Sequence, residues 1–163
     1  MRYHVIWSTY GSWLPGDPRG FRTKHHRRHV DGDYRNPPPP GKYEALHARS
    51  KASLKGPAVV IPPALRATVG WACIERFDDE QATVRAISVG GQHAHAAFEW
   101  AGDDVKPLIG RVKKVASHRV RDELPGRIWA LGCKIVRVRD EAHWRNVVSY
   151  VKEQRNAWVW SAE

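Results

Sequence analysis

Apolar positions along this chain change their spacing several times, and each change predicts an element. Tyr3, Val5 and Trp7 alternate with His4, Ile6 and Ser8, the period-two pattern of a first strand. Turn chemistry follows at Gly11-Ser12-Trp13-Leu14-Pro15-Gly16-Asp17-Pro18. After Pro62-Pro63, which suit a first helical turn, Leu65, Val69, Ala72, Cys73 and Phe77 recur at helical spacing. Asp78-Asp79-Glu80 turns the chain into Ala82, Val84, Ala86 and Ser88, alternating with Thr83, Arg85, Ile87 and Val89. That is a strand with apolar content on both faces. Gly90-Gly91 marks a turn, and Gln92 to Trp100 is short enough to pair back as the next strand.

The clearest helix comes next. Val105, Leu108, Ile109, Val112, Val115, Ala116 and Val120 form one stripe, with Arg111, Lys113, Lys114, His118 and Arg121 around it, and Pro125-Gly126 as the expected stop. Trp129 to Val138 reads as a strand centred on Ile135 and Val136. Asp140 then caps a last helix bearing Trp144, Val147, Val148 and Val151. The order strand, insertion, helix, strand, strand, helix, strand, helix predicts an α+β fold, a small antiparallel sheet with helices packed on one face.

Between the first strand and the first helix the composition changes. The stretch from about 14 to 60 holds Arg19, Arg22, Lys24, the run His25-His26-Arg27-Arg28-His29 and four consecutive prolines at 37–40. Too polar to build its own core, it is expected as a basic, Pro-rich insertion in a single domain spanning 1–163. Over all 163 residues, Lys+Arg 27 against Asp+Glu 17 gives +10. That surplus points to a polyanionic partner, nucleic acid before an anionic membrane. Eight Trp exclude a wholly disordered tail. Two cysteines are too few for a disulfide framework, no signal peptide is evident and no run approaches about 20 apolar residues. A cytoplasmic protein without a membrane segment is expected.

Two sites carry candidate chemistry. On a strand, His93 and His95 share a face, with Cα atoms roughly 6.5 Å apart, suited to joint ligation of a divalent ion. The residues alone leave open both the metal and the alternative of two ordinary hydrogen-bonded side chains. On the last helix, Tyr150 and Gln154 stand at i and i+4 and share a face, with His143 two turns before Tyr150. A phenol can act as a covalent nucleophile when a metal, base or cation helps it ionise; a plain packing role is the alternative. Lys113, Lys114, Arg137 and Arg139 are candidate phosphate contacts on charge alone, or an ordinary solvated face. No Gly-rich nucleotide loop of the GxxxxGK[ST] type is present.

In order and spacing, these motifs resemble the single-tyrosine HUH transposases, the insertion-sequence-200-like family that includes the REP-associated tyrosine transposases. The resemblance rests on His93-Ala94-His95, the basic helix after it, Gly126-Arg127-Ile128-Trp129, and Tyr150-Val151-Lys152-Glu153-Gln154, together with the opening from Tyr3 to Gly20. It covers both ends of the chain and leaves out the insertion. Gln92 stands where the family more often has Asn. The resemblance implies a ferredoxin-like or RRM-like fold and cleavage and strand transfer of single-stranded DNA at hairpin-bearing, palindromic sites. It implies that His93, His95 and Gln154 hold Mg²⁺ or Mn²⁺, and that Tyr150 forms a 5′-phosphotyrosine. Some members are homodimers that exchange the tyrosine helix, whereas REP-associated relatives look monomeric. A catalytically silent, domesticated DNA-binding descendant is the alternative.

Overall fold

The computed structural model describes residues 1–21 and 37–162; the basic run His25-His26-Arg27-Arg28-His29 lies outside them. The chain divides into two compact units, one of Met1–Tyr10 with Val59–Glu163 and one of Gly11–Ala58.

The larger unit is built from β1 (Arg2–Ser8), α2 (Pro63–Asp79), β2 (Thr83–Val89), β3 (His93–Glu99), α3 (Val105–Arg119), β4 (Lys134–Arg137), α4 (Glu141–Lys152) and β5 (Trp158–Ser161); α1 (Glu44–Ala52) belongs to the smaller unit. The five strands form one antiparallel sheet in the order β4-β1-β3-β2-β5. Its first four strands, with α2 and α3 as connections, make the β-α-β-β-α-β ferredoxin-like arrangement. The α+β class is therefore the one the periodicity predicts.

Side-chain alternation divides the sheet into two surfaces. Tyr3, Val5 and Trp7 of β1, Ile87 and Val89 of β2, and Ala94, Ala96 and Phe98 of β3 meet Val69, Cys73 and Phe77 of α2 and Leu108, Ile109 and Val112 of α3 in the main core. Ala86 and Ala97, paired across β2 and β3, point the other way and pack under Trp144, Val147 and Val151 of α4. The helices thus occupy both faces, not the single face expected: α2 and α3 on one, α4 on the other. The strand sequences contain the reason, since two alanines on the far face let a third helix sit close.

Local chemistry accounts for the helix limits. Asp140 caps α4 by accepting from the His143 backbone N–H at 2.8 Å, and Asp104 caps α3 by accepting from that of Lys106 at 3.1 Å. The α3 helix ends at Arg119, short of the predicted Pro125-Gly126 stop. Val120 is the last buried residue of its stripe, and the exposed Arg121-Asp122-Glu123 has nothing to bury.

The edge strand β5 places Trp158 against α2, where Gly70 is buried and leaves no space for a side chain before the indole ring. A Gly70→Ala substitution sets a helix gain of about 1 kcal/mol against an overpacking cost of about 1–3 kcal/mol. The clash prevails. We expect urea denaturation to give a net loss of about 1 kcal/mol, with an altered near-ultraviolet signal from the Trp71, Trp158 and Trp160 cluster; a more stable variant with unchanged aromatic dichroism would contradict this.

In the smaller unit, the buried Asp17 carboxylate holds the Arg19 backbone N–H and Nε, both at 2.9 Å, and Nη2 at 2.6 Å. The Arg19 guanidinium lies 4.4 Å from the Trp13 ring. Gly16 takes φ +86°, and a side chain there would meet the Tyr43 carbonyl and the His47 backbone. The Leu14 to Gly20 motif is in this way a self-bonded turn. Helix α1 buries none of its residues.

Candidate active site

Three elements converge on the α4 face of the sheet. Strand β3 projects His93 and His95 there because the intervening Ala94 belongs to the main core. Their rings lie edge to face with centroids 4.9 Å apart. His95 is buried at 3% exposure, and His93 is half-buried nearer the strand end. Helix α4, seated on Ala86 and Ala97, then holds the Tyr150 ring edge-on to His95, centroids 5.4 Å apart. Tyr150 is 48% exposed, so its ring meets the imidazoles while its side chain remains open to solvent.

The third element was not foreseen. His4 of β1 is buried at 7% exposure, with its Nε2 3.2 Å from His95 Nδ1. Its ring is also edge-on to Tyr150, centroids 5.8 Å apart. In the β1–β3 register His95 faces Ile6 and His4 faces Ala97, so the two histidines are diagonal neighbours. The sequence held one signal: His4 is a polar residue at an alternate position between core residues Tyr3 and Val5. Only the register brings it to His95.

Burial governs the charge of this cluster. Desolvation pushes His4 down to about 4, helped by Lys134 and His143. It pushes His95 down to about 3, helped by His93 and His4. Both rings are therefore neutral at pH 7, the form in which imidazole offers a lone pair. His95 Nε2 and Ser88 Oγ are buried without a hydrogen-bond partner, and Ser88 sits directly opposite His95 on β2. Two such atoms on paired residues of adjacent strands cost about 1–3 kcal/mol each and mark a place that suits a ligand. The donor set of imidazole nitrogens and neutral oxygens fits a divalent ion. Among the described residues, no group of three or more His, Cys, Asp or Glu side chains could hold a metal. A metal at the two imidazoles would accordingly take amide, hydroxyl or substrate oxygens to complete its shell.

Gln154 lies beyond the end of α4, after the cap residue Glu153, not within the helix as its spacing suggested. Its Nε2 donates to the Tyr150 carbonyl at 3.1 Å, which leaves Oε1 as the atom a metal would use. His143 stands in the first turn of α4, where its Nδ1 accepts from the Arg139 backbone N–H at 3.3 Å, and its charge acts on His4.

The basic candidates do not gather here. Lys113 and Lys114 are on α3, across the sheet from the histidines. Lys113 is half-buried and donates to the carbonyls of Ala130 at 2.7 Å and Gly132 at 2.9 Å, tying α3 to the segment before β4. Arg137 pairs with Tyr3 and so shares the α2–α3 face, and Arg139 is exposed just past β4. The same register turns Lys134, opposite Ile6, to the His4 side. Within the basic segment Lys134 to Arg139, Lys134 is thus the cation on the histidine face.

No family model and no curated protein matches this chain. Among solved structures it is similar to a REP-associated tyrosine transposase bound to a REP hairpin, with 15% identity, a TM-score of 0.49 and 93% of this chain covered. The chain spans 64% of the length of that protein's chain. A likeness of this size assigns no activity. No helix among the described residues is long and apolar enough to cross a membrane.

Proposed function

We propose that this chain is a divalent-metal-dependent enzyme that cuts single-stranded DNA beside a hairpin and transfers the strand, with Tyr150 as nucleophile. The observation that carries the reading is the convergence of Tyr150 on His95 and His4, residues far from it in sequence and on two different strands. The motif resemblance and the net charge of +10 point the same way.

His93 and His95, with Oε1 of Gln154, would hold Mg²⁺ or Mn²⁺, and the bound ion would stabilise charge developing on the phosphate and favour the ionised phenol. Tyr150 Oη attacks the scissile phosphorus, the P–Oη bond forms and the P–O3′ bond breaks. Solvent takes the phenolic proton and supplies one to the departing 3′ oxygen, which leaves as a hydroxyl. The phosphodiester energy stays in the 5′-phosphotyrosine, so rejoining needs no nucleotide triphosphate. Lys134 supplies positive charge on the face where the strand would lie. Tyr150 edges a histidine of its own chain, which supports a site completed within one protomer.

Incubation with a hairpin-bearing single-stranded oligonucleotide and Mn²⁺ tests this directly. We expect a covalent adduct on denaturing gels that maps to Tyr150, falls to background with a chelator and returns when Mn²⁺ is restored. Salt-sensitive binding without an adduct under any divalent ion would instead identify a silent DNA-binding descendant.

A further inference from the structure

The two buried imidazoles are joined in a way that suits a supporting role better than a shared one. The His4 and His95 rings are only 21° from parallel, yet their centroids are 5.5 Å apart and His4 Nε2 is 3.2 Å from His95 Nδ1. Faces stacked in contact would be closer; rings joined end to end through their nitrogens give this separation. The contact is an in-plane hydrogen bond.

Its proton can sit on either nitrogen, and the surroundings decide. If His4 donates, His95 carries its own proton on Nε2, a buried N–H without an acceptor. If His95 donates from Nδ1, its Nε2 bears only a lone pair. Buried orphan N–H groups are rarer than under-satisfied acceptors, which favours the second arrangement. A ring held through one nitrogen in this manner is what an imidazole ligand requires, because the bond fixes both tautomer and orientation.

We infer that His4 is a positioning residue that accepts from His95 Nδ1–H and so presents the His95 Nε2 lone pair to a divalent ion. This inference rests on the metal-dependent reading of the same site. It adds a third histidine, outside the His93-Ala94-His95 motif, that acts through His95 without contacting substrate. The orphaned Ser88 Oγ, opposite His95, lies on the same face of the sheet.

Mn²⁺ binding by calorimetry, together with imidazole nitrogen NMR on the Mg²⁺-loaded protein, tests it. Wild-type protein should bind Mn²⁺, and half-buried His93→Ala should abolish that binding. His4→Ala should weaken it by about 10- to 100-fold. His4→Gln, whose amide oxygen can accept the same proton, should recover most of the loss, and His95 in the wild type should carry its proton on Nδ1. Failure of the wild type to bind Mn²⁺, or binding indifferent to His93→Ala, overturns the metal reading itself. If His93-dependent binding survives His4→Ala unchanged, or folded His4→Gln gives no recovery, the metal reading stands and the positioning role falls. Should His4→Ala not fold, the His4→Gln affinity and the wild-type tautomer decide, and a proton on His95 Nε2 in the loaded protein overturns the role.

Discussion

Tyr150→Phe is expected to eliminate the covalent DNA adduct and strand cleavage while leaving the fold intact. The substitution removes a single oxygen. The ring that meets His95 and His4 edge-on is retained, and the residue is about half exposed. Thermal stability should change by no more than about 0.5 kcal/mol, the range of surface substitutions. Activity should fall by about 10³-fold or more, the scale on which loss of a nucleophile acts. Binding of the hairpin oligonucleotide should persist, because the charge of the chain is unchanged. Quantifying adduct on denaturing gels and binding by fluorescence anisotropy separates the two effects. An equal adduct yield from wild type and Tyr150→Phe would move the nucleophile elsewhere, and a parallel collapse of stability would make Tyr150 a packing residue.

The parts of the molecule legible in the sequence are those where one periodicity governs one surface. The stripe from Val105 to Val120 gives α3, and Asp140 followed by Trp144, Val147 and Val151 gives α4 with its cap. What escaped depends on relations between elements. Strand β5 is four residues, Trp158–Ser161, half-buried throughout and without alternation, so only pairing with β2 defines it. Helix α1 buries no residue and leaves no stripe to read. The second helical layer was encoded by Ala86 and Ala97, residues that look neutral in a strand until their pairing is known.

The same distinction holds at the site. His93-Ala94-His95 is visible because strand geometry alone brings i and i+2 together. His4 shows only as a polar residue between core positions, because it meets His95 only through the β1–β3 register. Charge was the least transferable signal: it does not distinguish Arg137 from Lys134, whereas alternation on β4 sends Arg137 to one face and Lys134 to the other. Lys113 reads as a free cation in the sequence and is a structural tie in the fold.

The buried histidines also predict how the metal-free protein responds to acid. His4 and His95 titrate at about 4 and about 3 in the folded chain, chiefly through desolvation, against 6.5 ordinarily. Above pH 6.5 neither the folded nor the unfolded chain protonates them, and they cost nothing. As pH falls below that value the unfolded chain takes up protons that the native interior refuses, so stability declines. The decline runs from about pH 6.5 down through the folded values, and refusal of one proton over that interval costs roughly 3 kcal/mol. Against a domain stability of about 5–15 kcal/mol, this is a large share. Asp17 and Glu80, held below the carboxylate range despite desolvation by hydrogen bonds from Arg19 and Arg111, lose their contributions only at lower pH. The interval from pH 6.5 to 5 therefore isolates the histidines. Thermal melts in chelator should show Tm falling steadily through it, and folded His4→Gln should fall less steeply because one titrating ring is gone. Mg²⁺ should raise Tm above pH 6.5 and lose that effect in acid, since protons and metal compete for the same lone pairs. A wild-type Tm that is flat from pH 7 to 5 would mean that water reaches His4 and His95 and that the cluster is not the desolvated site its burial describes.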